Sequence, residues 1–212
     1  MRLVSASTEV ITEVSGEEML RRLEAAGRTC YKSEDRVTNN SARAFVARII
    51  ESGHHSVLEH ESVSVRFVVD RGVSHEIVRH RLASYSQEST RYCNYGKAKF
   101  GGEVTFVDAR PHLPPEAHDL WMTSVESSAS DYLELLELGV PPQMARSVLP
   151  NALKTELVMT CNVREWRHFF SLRTTEKAHP QMREVARPLL RLFRSMMPVL
   201  FDDVGVTGEG DD

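Results

Sequence analysis

The segment RHRLASYSQESTRYCNY, residues 79–95, has the composition of a phosphate-binding site. Its four basic side chains are Arg79, His80, Arg81 and Arg91, and its single acid is Glu88. A guanidinium binds phosphate through two parallel N–H groups, and the hydroxyls of nearby serines, threonines and tyrosines supply neutral donors. A solvated, serine-rich loop has a similar composition. The segment by itself therefore leaves a nucleotide-phosphate site and an ordinary loop both open.

A cluster of histidines upstream of this segment has side chains that could bind a metal ion. GHHSVLEH contains His54, His55, Glu59 and His60, and imidazoles and carboxylates are ligands of divalent metals. Their spacing does not match the HExxH pattern and is one residue off the inverted HxxEH pattern. Histidines beside a helix end more often form structural hydrogen bonds than bind metals. We therefore predict no metal site, and a metal-dependent nucleotide hydrolase is kept as an alternative.

A third group of candidate residues lies on a helix predicted after Asn162. Arg164 and Arg167 are neighbours on such a helix, and Arg173 returns to nearly the same side. Arg146 precedes a proline-terminated segment. Taken one at a time, arginines on an amphipathic helix are ordinary solvated side chains. The chain has no GxGxxG, P-loop or GxSxG motif, so the usual dinucleotide, phosphate and serine-hydrolase sites are not supported.

Alternating segments predict the strands that position these groups. The inward residues are Val63, Val65, Phe67 and Val69 in one strand, and Leu153, Leu157, Met159 and Cys161 in another. A shorter strand is predicted over residues 103–107. Helices with a few mostly antiparallel strands, and no βαβ rhythm, predict an α+β fold whose central sheet is flanked by helices.

Capping residues and apolar stripes predict the helices. Ser15 and Glu18 form a capping box for the first helix, Ser74 is a plausible N-cap for a helix through His80, and Asn162 can cap another. Further helices are predicted from Ser41 to Ser52, from Pro114-Pro115 to Gly139, and from Pro180 onward. The stripe of the helix before Gly139 comprises Val125, Ala129, Tyr132, Leu133 and Leu136, and that of the helix after Asn162 comprises Trp166, Phe169 and Phe170.

Length and composition predict one globular domain over residues 1–201 and an acidic, frayed tail over residues 202–212. The 212 residues carry a net charge of −4, which argues against binding to a nucleic acid polymer. No apolar run approaches the roughly 18 residues of a membrane span. Three widely spaced cysteines without a CxxC motif predict no disulfide framework and a reducing, cytoplasmic location.

The candidate segments together resemble the flavin-dependent thymidylate synthases. Arg79-His80-Arg81, seven residues, Ser89, one residue and Arg91 reproduce the family signature RHR-x7-S-x-R. GHHSVLEH is similar to the family's upstream His-(Ser/Thr)-x-x-Glu-His segment, ARSVLP to its Arg-x-x-Leu-Pro segment, and NVREWRHFFSLR to its C-terminal block. The order and approximate distances agree over about residues 54–187, so the chain is identified by resemblance as a member of this family.

The resemblance implies the reductive methylation of dUMP to dTMP. In this family methylenetetrahydrofolate supplies the carbon, NADPH reduces FAD, and the reduced flavin delivers the hydride. A cofactor that carries the difficult chemistry is consistent with the lack of a recognisable nucleophile or metal motif. The resemblance also implies a homotetramer in which several chains contribute to each site.

Site residues follow from the same resemblance, position by position. The implied FAD contacts are Ser56, Arg79, His80, Arg81, Gln87, Asn162, Val163, Arg164 and His168. The implied dUMP contacts are Glu76, Ile77, Val78, Arg79, Gln87, Glu88, Ser89, Thr90, Arg91, Arg146 and Arg173. Arg173 is the implied catalytic residue, because its cation would favour the N3-deprotonated uracil and so raise electron density at the reacting ring carbon.

The chain departs from the family pattern at a few positions. Ser86 and Gln87 stand where Asn-Glu is frequent, Glu76 where glutamine is frequent, and His168 where asparagine is frequent. These changes largely keep hydrogen-bonding capacity and remove no charged residue of the signature. A flavin- or nucleotide-binding protein without catalysis is the second alternative, and it predicts bound FAD without turnover.

Overall fold

The computed structural model describes residues 1–205, and within them helices and strands alternate irregularly along the chain. The α-helices are α1 (Gly16–Thr29), α2 (Ser41–Glu51), α3 (Arg71–Ile77), α4 (His118–Glu137), α5 (Pro142–Ala145), α6 (Val163–Arg173) and α7 (Pro180–Met196). The strands are β1 (Arg2–Val4), β2 (Ser7–Val10), β3 (Ser62–Asp70), β4 (Ala83–Gln87), β5 (Thr105–Val107) and β6 (Lys154–Asn162).

The strands form a four-stranded sheet and a separate pair. The sheet consists of antiparallel strands in the order β2-β3-β6-β4, whereas β1 and β5 pair in parallel, with Leu3 opposite Phe106. The alternation predicted for β3 and β6 is confirmed, since all eight predicted inward residues are buried. The mixed helix and sheet content agrees with the predicted α+β class.

The chain divides into two compact units. The first unit comprises Met1–Thr8, Arg66–Arg79 and Tyr85–Val158. The second comprises Glu9–Val65, His80–Ser84 and the described part of Met159–Asp212. A single domain over residues 1–201 stays a prediction. In the signature, Arg79 belongs to the first unit, and His80 and Arg81 belong to the second.

An aromatic cluster forms the core of the second unit. Trp166, Phe169 and Phe170 of α6 pack with Phe193 of α7 and with Phe201, and neighbouring ring centroids lie 5.1 to 5.8 Å apart. The Trp166 indole N–H donates to the backbone oxygen of Val63 at 3.0 Å. The stripe predicted for α6 is therefore part of the core. Because this stripe packs into the aromatic cluster, the opposite side of α6 faces away from it.

The core of the first unit is built on α4. Val125, Ala129 and Tyr132 are buried as predicted, whereas Leu133 and Leu136 of the same stripe are only partly buried. The cluster also contains Phe106, Leu153 and Tyr95. It lies beside the turn that ends the signature, because Tyr95 is four residues past Arg91.

Helix α3 differs from its prediction at both ends. Asp70, not Ser74, is the N-cap, because its carboxylate accepts the Val73 N–H at 2.7 Å and so starts the helix at Arg71. The helix ends at Ile77 rather than at His80, and the Ile77 carbonyl accepts the Tyr85 hydroxyl at 2.9 Å. His80 therefore leaves the helix, and its side chain contacts α6 instead.

Strands β1, β2 and β4 were not predicted. Strand β4 runs through the serine-rich half of the signature, and its residues alternate between partly buried and exposed. A strand at the sheet edge with no fully buried face carries no apolar alternation in its sequence. The ordinary-loop interpretation of residues 83–87 is therefore wrong.

Part of the predicted frayed tail is packed. Arg167 pairs with Asp203 at 2.7 Å, and Val204 is buried. The other residues of the predicted tail, 206–212, lie outside the described residues. None of the helices within residues 1–205 has the length and apolar content that a membrane crossing requires.

Gly16, the first residue of α1, lies against the end of α7. A Cβ at this position would lie 2.5 Å from the Met196 carbonyl oxygen, and backbone atoms cannot move aside cheaply. We expect Gly16→Ala to lower the free energy of unfolding by about 1–3 kcal/mol in denaturant titrations. Ala25→Ser, at an exposed position of the same helix, is the control, with a change within about 0.5 kcal/mol. Equal stability of the two variants would show that the two helix ends are not in close contact.

Candidate active site

In the first unit, the carboxamide of Gln87 is held by two hydroxyl groups. Its nitrogen donates to Ser74 Oγ at 3.0 Å and to Thr155 Oγ1 at 3.2 Å. Ser74 and Thr155 are buried, so these bonds are shielded from water. Because both N–H groups have partners, the carbonyl oxygen is the group that Gln87 can offer to a ligand. A cavity of about 550 Å³ in this unit has Gln87 and Glu88 in its wall.

The turn after β4 brings two separate predicted segments together. Arg146 Nη1 donates to Thr90 Oγ1 at 2.8 Å, although 56 positions separate the two residues. Ser89 Oγ accepts the Arg91 N–H at 3.3 Å, and the Cys93 N–H bonds to the Ser89 carbonyl at 2.9 Å. These bonds fix Ser89 and Thr90 in a turn, with an arginine beside it. Hydroxyls and a guanidinium in one turn can bind an anion such as phosphate.

Glu88 has a structural environment that its sequence did not reveal. Its carboxylate accepts hydrogen bonds from the Tyr95 hydroxyl at 2.9 Å, Lys154 Nζ at 3.1 Å and the Glu156 N–H at 3.2 Å. Burial raises the pKa of Tyr95, and the Glu88 charge raises it further. Burial lowers the pKa of Lys154, but Glu156 and Glu88 outweigh it, so the net shift is upward. Glu88 thus anchors the turn, and its contact with a substrate stays a prediction.

The four predicted residues at the end of α3 differ in exposure. Ile77 is fully buried and its carbonyl is bonded to Tyr85, while Glu76 and Val78 are partly buried. Arg79 is exposed, and its N–H bonds to the Glu76 carbonyl at 3.2 Å. The Arg79 side chain is therefore the most accessible of the four.

In the second unit, His80 is buried between a carboxylate and a guanidinium. His80 Nδ1 lies 3.0 Å from Glu165 Oε1, and Arg173 Nε donates to His80 Nε2 at 3.1 Å. Burial lowers the pKa of His80 and the Arg173 cation lowers it too, against the opposing effect of Glu165. Nε2 can accept the Arg173 N–H only when it is unprotonated, and the lowered pKa favours this neutral form. Two residues that sequence comparison assigned to different ligands, His80 and Arg173, are in direct contact.

A cleft of about 710 Å³ in the second unit is lined by three of the predicted flavin contacts, Asn162, Arg164 and His168. Asn162 Oδ1 accepts the Glu165 N–H at 2.9 Å and caps α6 as predicted. Arg164 and Glu59 form an exposed ion pair at 2.6 Å across the cleft wall. The guanidinium, imidazole and carboxamide groups of this cleft can donate to an anionic ligand, and the carboxylates of Glu59, Glu165 and Asp203 share the same lining.

The remaining predicted flavin contacts in this unit differ in accessibility. Ser56 is exposed on a 3-10 helix (His55–His60), and Arg81 is exposed directly after His80. Val163 is fully buried, and its N–H bonds to the Glu61 carbonyl at 2.9 Å. Val163 is therefore engaged in the fold, and its contact with a flavin stays a prediction.

The residues that could hold a metal are not those of the histidine segment. Within residues 1–205, the group whose ligand atoms lie within 4.8 Å of one another is His80, Glu165 and His168. Both ring nitrogens of His80 already have partners, and a cation there would lie beside the Arg173 guanidinium. The lone pair that a metal needs is thus engaged, and the charge is unfavourable.

Ser74, Thr155 and Glu165 are among the residues that hold candidate site residues and that sequence analysis missed. Glu165 stands three residues after Asn162, the spacing of a capping box, and this signal could have marked it. Sequence patterns predict Ser74 only as a helix cap, and Thr155 has no local signal because its partner Gln87 is 68 positions away.

Comparison with known proteins agrees with the resemblance seen in the sequence. The profile of the family described as "Thy1: Thymidylate synthase complementing protein" matches residues 10–199. The flavin-dependent thymidylate synthase of Geobacter sulfurreducens is 36% identical over 187 residues, which cover 85% of this chain and 79% of the relative. That of Corynebacterium glutamicum is 35% identical over 216 residues, covering 93% of this chain and 84% of the relative.

The solved structures include one with the same fold. The UMP/dUMP methylase PolB from Streptomyces cacaoi, bound with 5-Br dUMP, superposes with a TM-score of 0.78, covering 95% of each chain at 23% identity. With a family profile over most of the chain and relatives above one-third identity, the chain belongs to the flavin-dependent thymidylate synthases, the Thy1 family.

Proposed function

We propose that this chain methylates dUMP to dTMP, with methylenetetrahydrofolate as the carbon donor and NADPH-reduced FAD as the source of the hydride. The observation that carries the proposal is that segments matched separately to the family meet in the folded chain. Arg146 contacts Thr90 in one unit, and Arg173 contacts His80 in the other. In a fold unrelated to this family, contacts between these particular residues would not be expected.

The residues of the first unit suit the binding of a nucleoside monophosphate. We infer that Arg79, Arg91 and Arg146, with the Ser89 hydroxyl, hold the phosphate, because guanidinium pairs and neutral donors match its oxygens. Gln87 would offer its carbonyl oxygen to a donor on the nucleotide, since Ser74 and Thr155 hold its nitrogen. Glu76, Ile77, Val78, Glu88 and Thr90 would act mainly by shaping the backbone around these groups.

Arg173 would act on the pyrimidine. A guanidinium next to N3 stabilises the deprotonated ring and lowers the pKa of that group. The negative charge spreads through the ring and makes its carbon a better nucleophile toward the methylene group. His80 supports this role because its neutral ring accepts a hydrogen bond from Arg173 and does not repel it.

The residues of the second unit suit the flavin. FAD supplies hydride chemistry when bound. Asn162, Arg164 and His168 would bind it through the cleft, and Ser56, His80, Arg81 and Val163 would complete the contacts. We infer, from family resemblance, that the chain forms a homotetramer whose sites use residues of several chains, with Arg79 and Gln87 also near the flavin. A cytoplasmic location accords with three free cysteines, Cys30, Cys93 and Cys161.

The first test is the visible absorption spectrum of the freshly purified protein, with the chromophore identified after denaturation. We expect FAD, and dTMP formation that requires dUMP, methylenetetrahydrofolate and NADPH together. Released FAD without any dTMP would favour the non-catalytic binding protein. A protein that neither contains nor takes up FAD would contradict the proposal, and activity lost on chelation would favour the hydrolase.

A further inference from the structure

Glu165, His80 and Arg173 form a continuous chain of hydrogen bonds in the second unit. Glu165 and His80 are almost fully buried, with 6% and 4% of their surfaces exposed, and Arg173 is partly exposed at the end of α6. The Glu165–His80 distance is 3.0 Å and the His80–Arg173 distance is 3.1 Å. His80 is 85 positions from Glu165 and 93 positions from Arg173 in the sequence, so the chain of bonds depends on the fold.

The direction of these bonds fixes the tautomer of His80. The Nε–H of an arginine can only donate, so His80 Nε2 must be the ring nitrogen with the lone pair. A neutral imidazole then carries its proton on Nδ1, and that proton points to the Glu165 carboxylate. The opposite tautomer would place two N–H groups face to face.

Glu165 is the carboxylate that accepts the Nδ1 proton of His80 and so stabilises this tautomer. The ring centroids of His168 and Phe169 lie 5.6 Å and 5.0 Å from that of His80, so both rings pack against the imidazole. A carboxylate is an acceptor only, and it stabilises the Nδ1–H form. Without this acceptor, the Nδ1–H form loses its stabilising partner, and protonation of Nε2 competes with the bond from Arg173.

We propose that Glu165 is a positioning residue that sets the His80 tautomer and thereby holds the guanidinium of Arg173 in one orientation. This inference rests on the proposed function, in which Arg173 acts on the pyrimidine. The bond from Nε to His80 restrains the guanidinium and, with it, the direction of its terminal nitrogens. Glu165 therefore affects the nucleotide without touching it.

The test compares Glu165→Gln with Glu165→Leu in the flavin-loaded protein. Gln keeps an oxygen that accepts the Nδ1–H, whereas Leu has a similar size and no acceptor. We expect Glu165→Leu to lower kcat for dTMP formation roughly tenfold or more, with the KM for dUMP within about twofold, and Glu165→Gln to restore most of the rate. Glu176→Gln, an exposed carboxylate on the same unit, is the control for charge loss.

A second measurement follows the ionisation of the bound pyrimidine directly. The 19F NMR signal of bound 5-fluoro-dUMP depends on whether N3 is ionised, so it senses the orientation of Arg173. We expect a shift toward the neutral form in Glu165→Leu and a wild-type signal in Glu165→Gln. A structural defect alone would lower the FAD content or the thermal stability of the protein. The 19F signal of the 5-fluoro-dUMP that still binds would then be the same as in the wild type.

The outcomes separate this inference from the proposed function. If wild-type protein forms no dTMP, the proposed function fails and the inference fails with it. If the wild type is active but Glu165→Leu and Glu165→Gln do not differ from each other in kcat or in 19F shift, only the inference is wrong. If Glu165→Gln also loses FAD or unfolds, Glu165 is a structural residue and the inference is wrong as well.

Discussion

Arg173→Ala should lose most of the dTMP formation while the purified protein keeps its flavin. The substitution removes the cation that would stabilise the deprotonated uracil, and a charge-assisted contact contributes about 1.5–3 kcal/mol. If the contact acts in the transition state, kcat/KM should fall roughly 10- to 150-fold. FAD content should stay close to that of the wild type, because the predicted flavin contacts of the second unit are other residues.

The measurement is the initial rate of dTMP formation together with the FAD content per chain. Arg183→Ala is the matched control, because it removes an arginine of the same unit that pairs with exposed Glu176. Arg173→Lys should recover only part of the rate, since an ammonium has no Nε–H to bond to His80 in the same geometry. Loss of FAD as the main defect of Arg173→Ala would contradict the assigned role.

Arg146→Ala should weaken dUMP binding strongly without changing the flavin. Arg146 lies beside the turn of Ser89 and Thr90, and its guanidinium is anchored by the Thr90 hydroxyl at 2.8 Å. Loss of one charge-assisted phosphate contact should raise the dissociation constant of dUMP roughly 10- to 150-fold. The dissociation constant is measured by calorimetric titration of the oxidised protein.

Two comparisons define the origin of the Arg146 effect. Thr90→Val removes the anchor but keeps the cation, so we expect a smaller loss, of roughly three- to tenfold. Arg191→Ala changes an exposed arginine of the other unit and should leave dUMP binding unchanged. Deoxyuridine, which has no phosphate, should bind weakly to all variants alike. If Arg146→Ala weakened deoxyuridine binding as strongly as dUMP binding, the phosphate role would be wrong.

Much of the fold could be predicted from sequence because its signals are local. The apolar alternation of β3 and β6, the Ser15 cap and the stripe of α6 all lie within short windows, and the structure confirms them. The errors have local causes too. Ser74 is the predicted cap of α3 but Asp70 is the observed one, and β4 has no fully buried face that its sequence could show.

Residue types and their spacing were enough to nominate the candidate site residues and the chemistry that they can supply. The spacing of Arg79, Ser89 and Arg91, with the flanking segments, was specific enough to indicate the family, because each signal is a short run of residue types. Guanidinium and hydroxyl groups are the same chemical groups wherever the chain places them. Their capacity to bind phosphate could therefore be inferred without coordinates.

Which atoms those residues offer to a ligand depends on the folded structure. The Gln87 nitrogen is engaged by Thr155, His80 lies between Glu165 and Arg173, and the Glu88 carboxylate accepts three hydrogen bonds. The partners are 68, 85 and 93 positions apart for the first three bonds, beyond the range of any local pattern. Hydrogen-bond direction, tautomer and burial depend on which side chains the chain path brings together, and that is a property of packing.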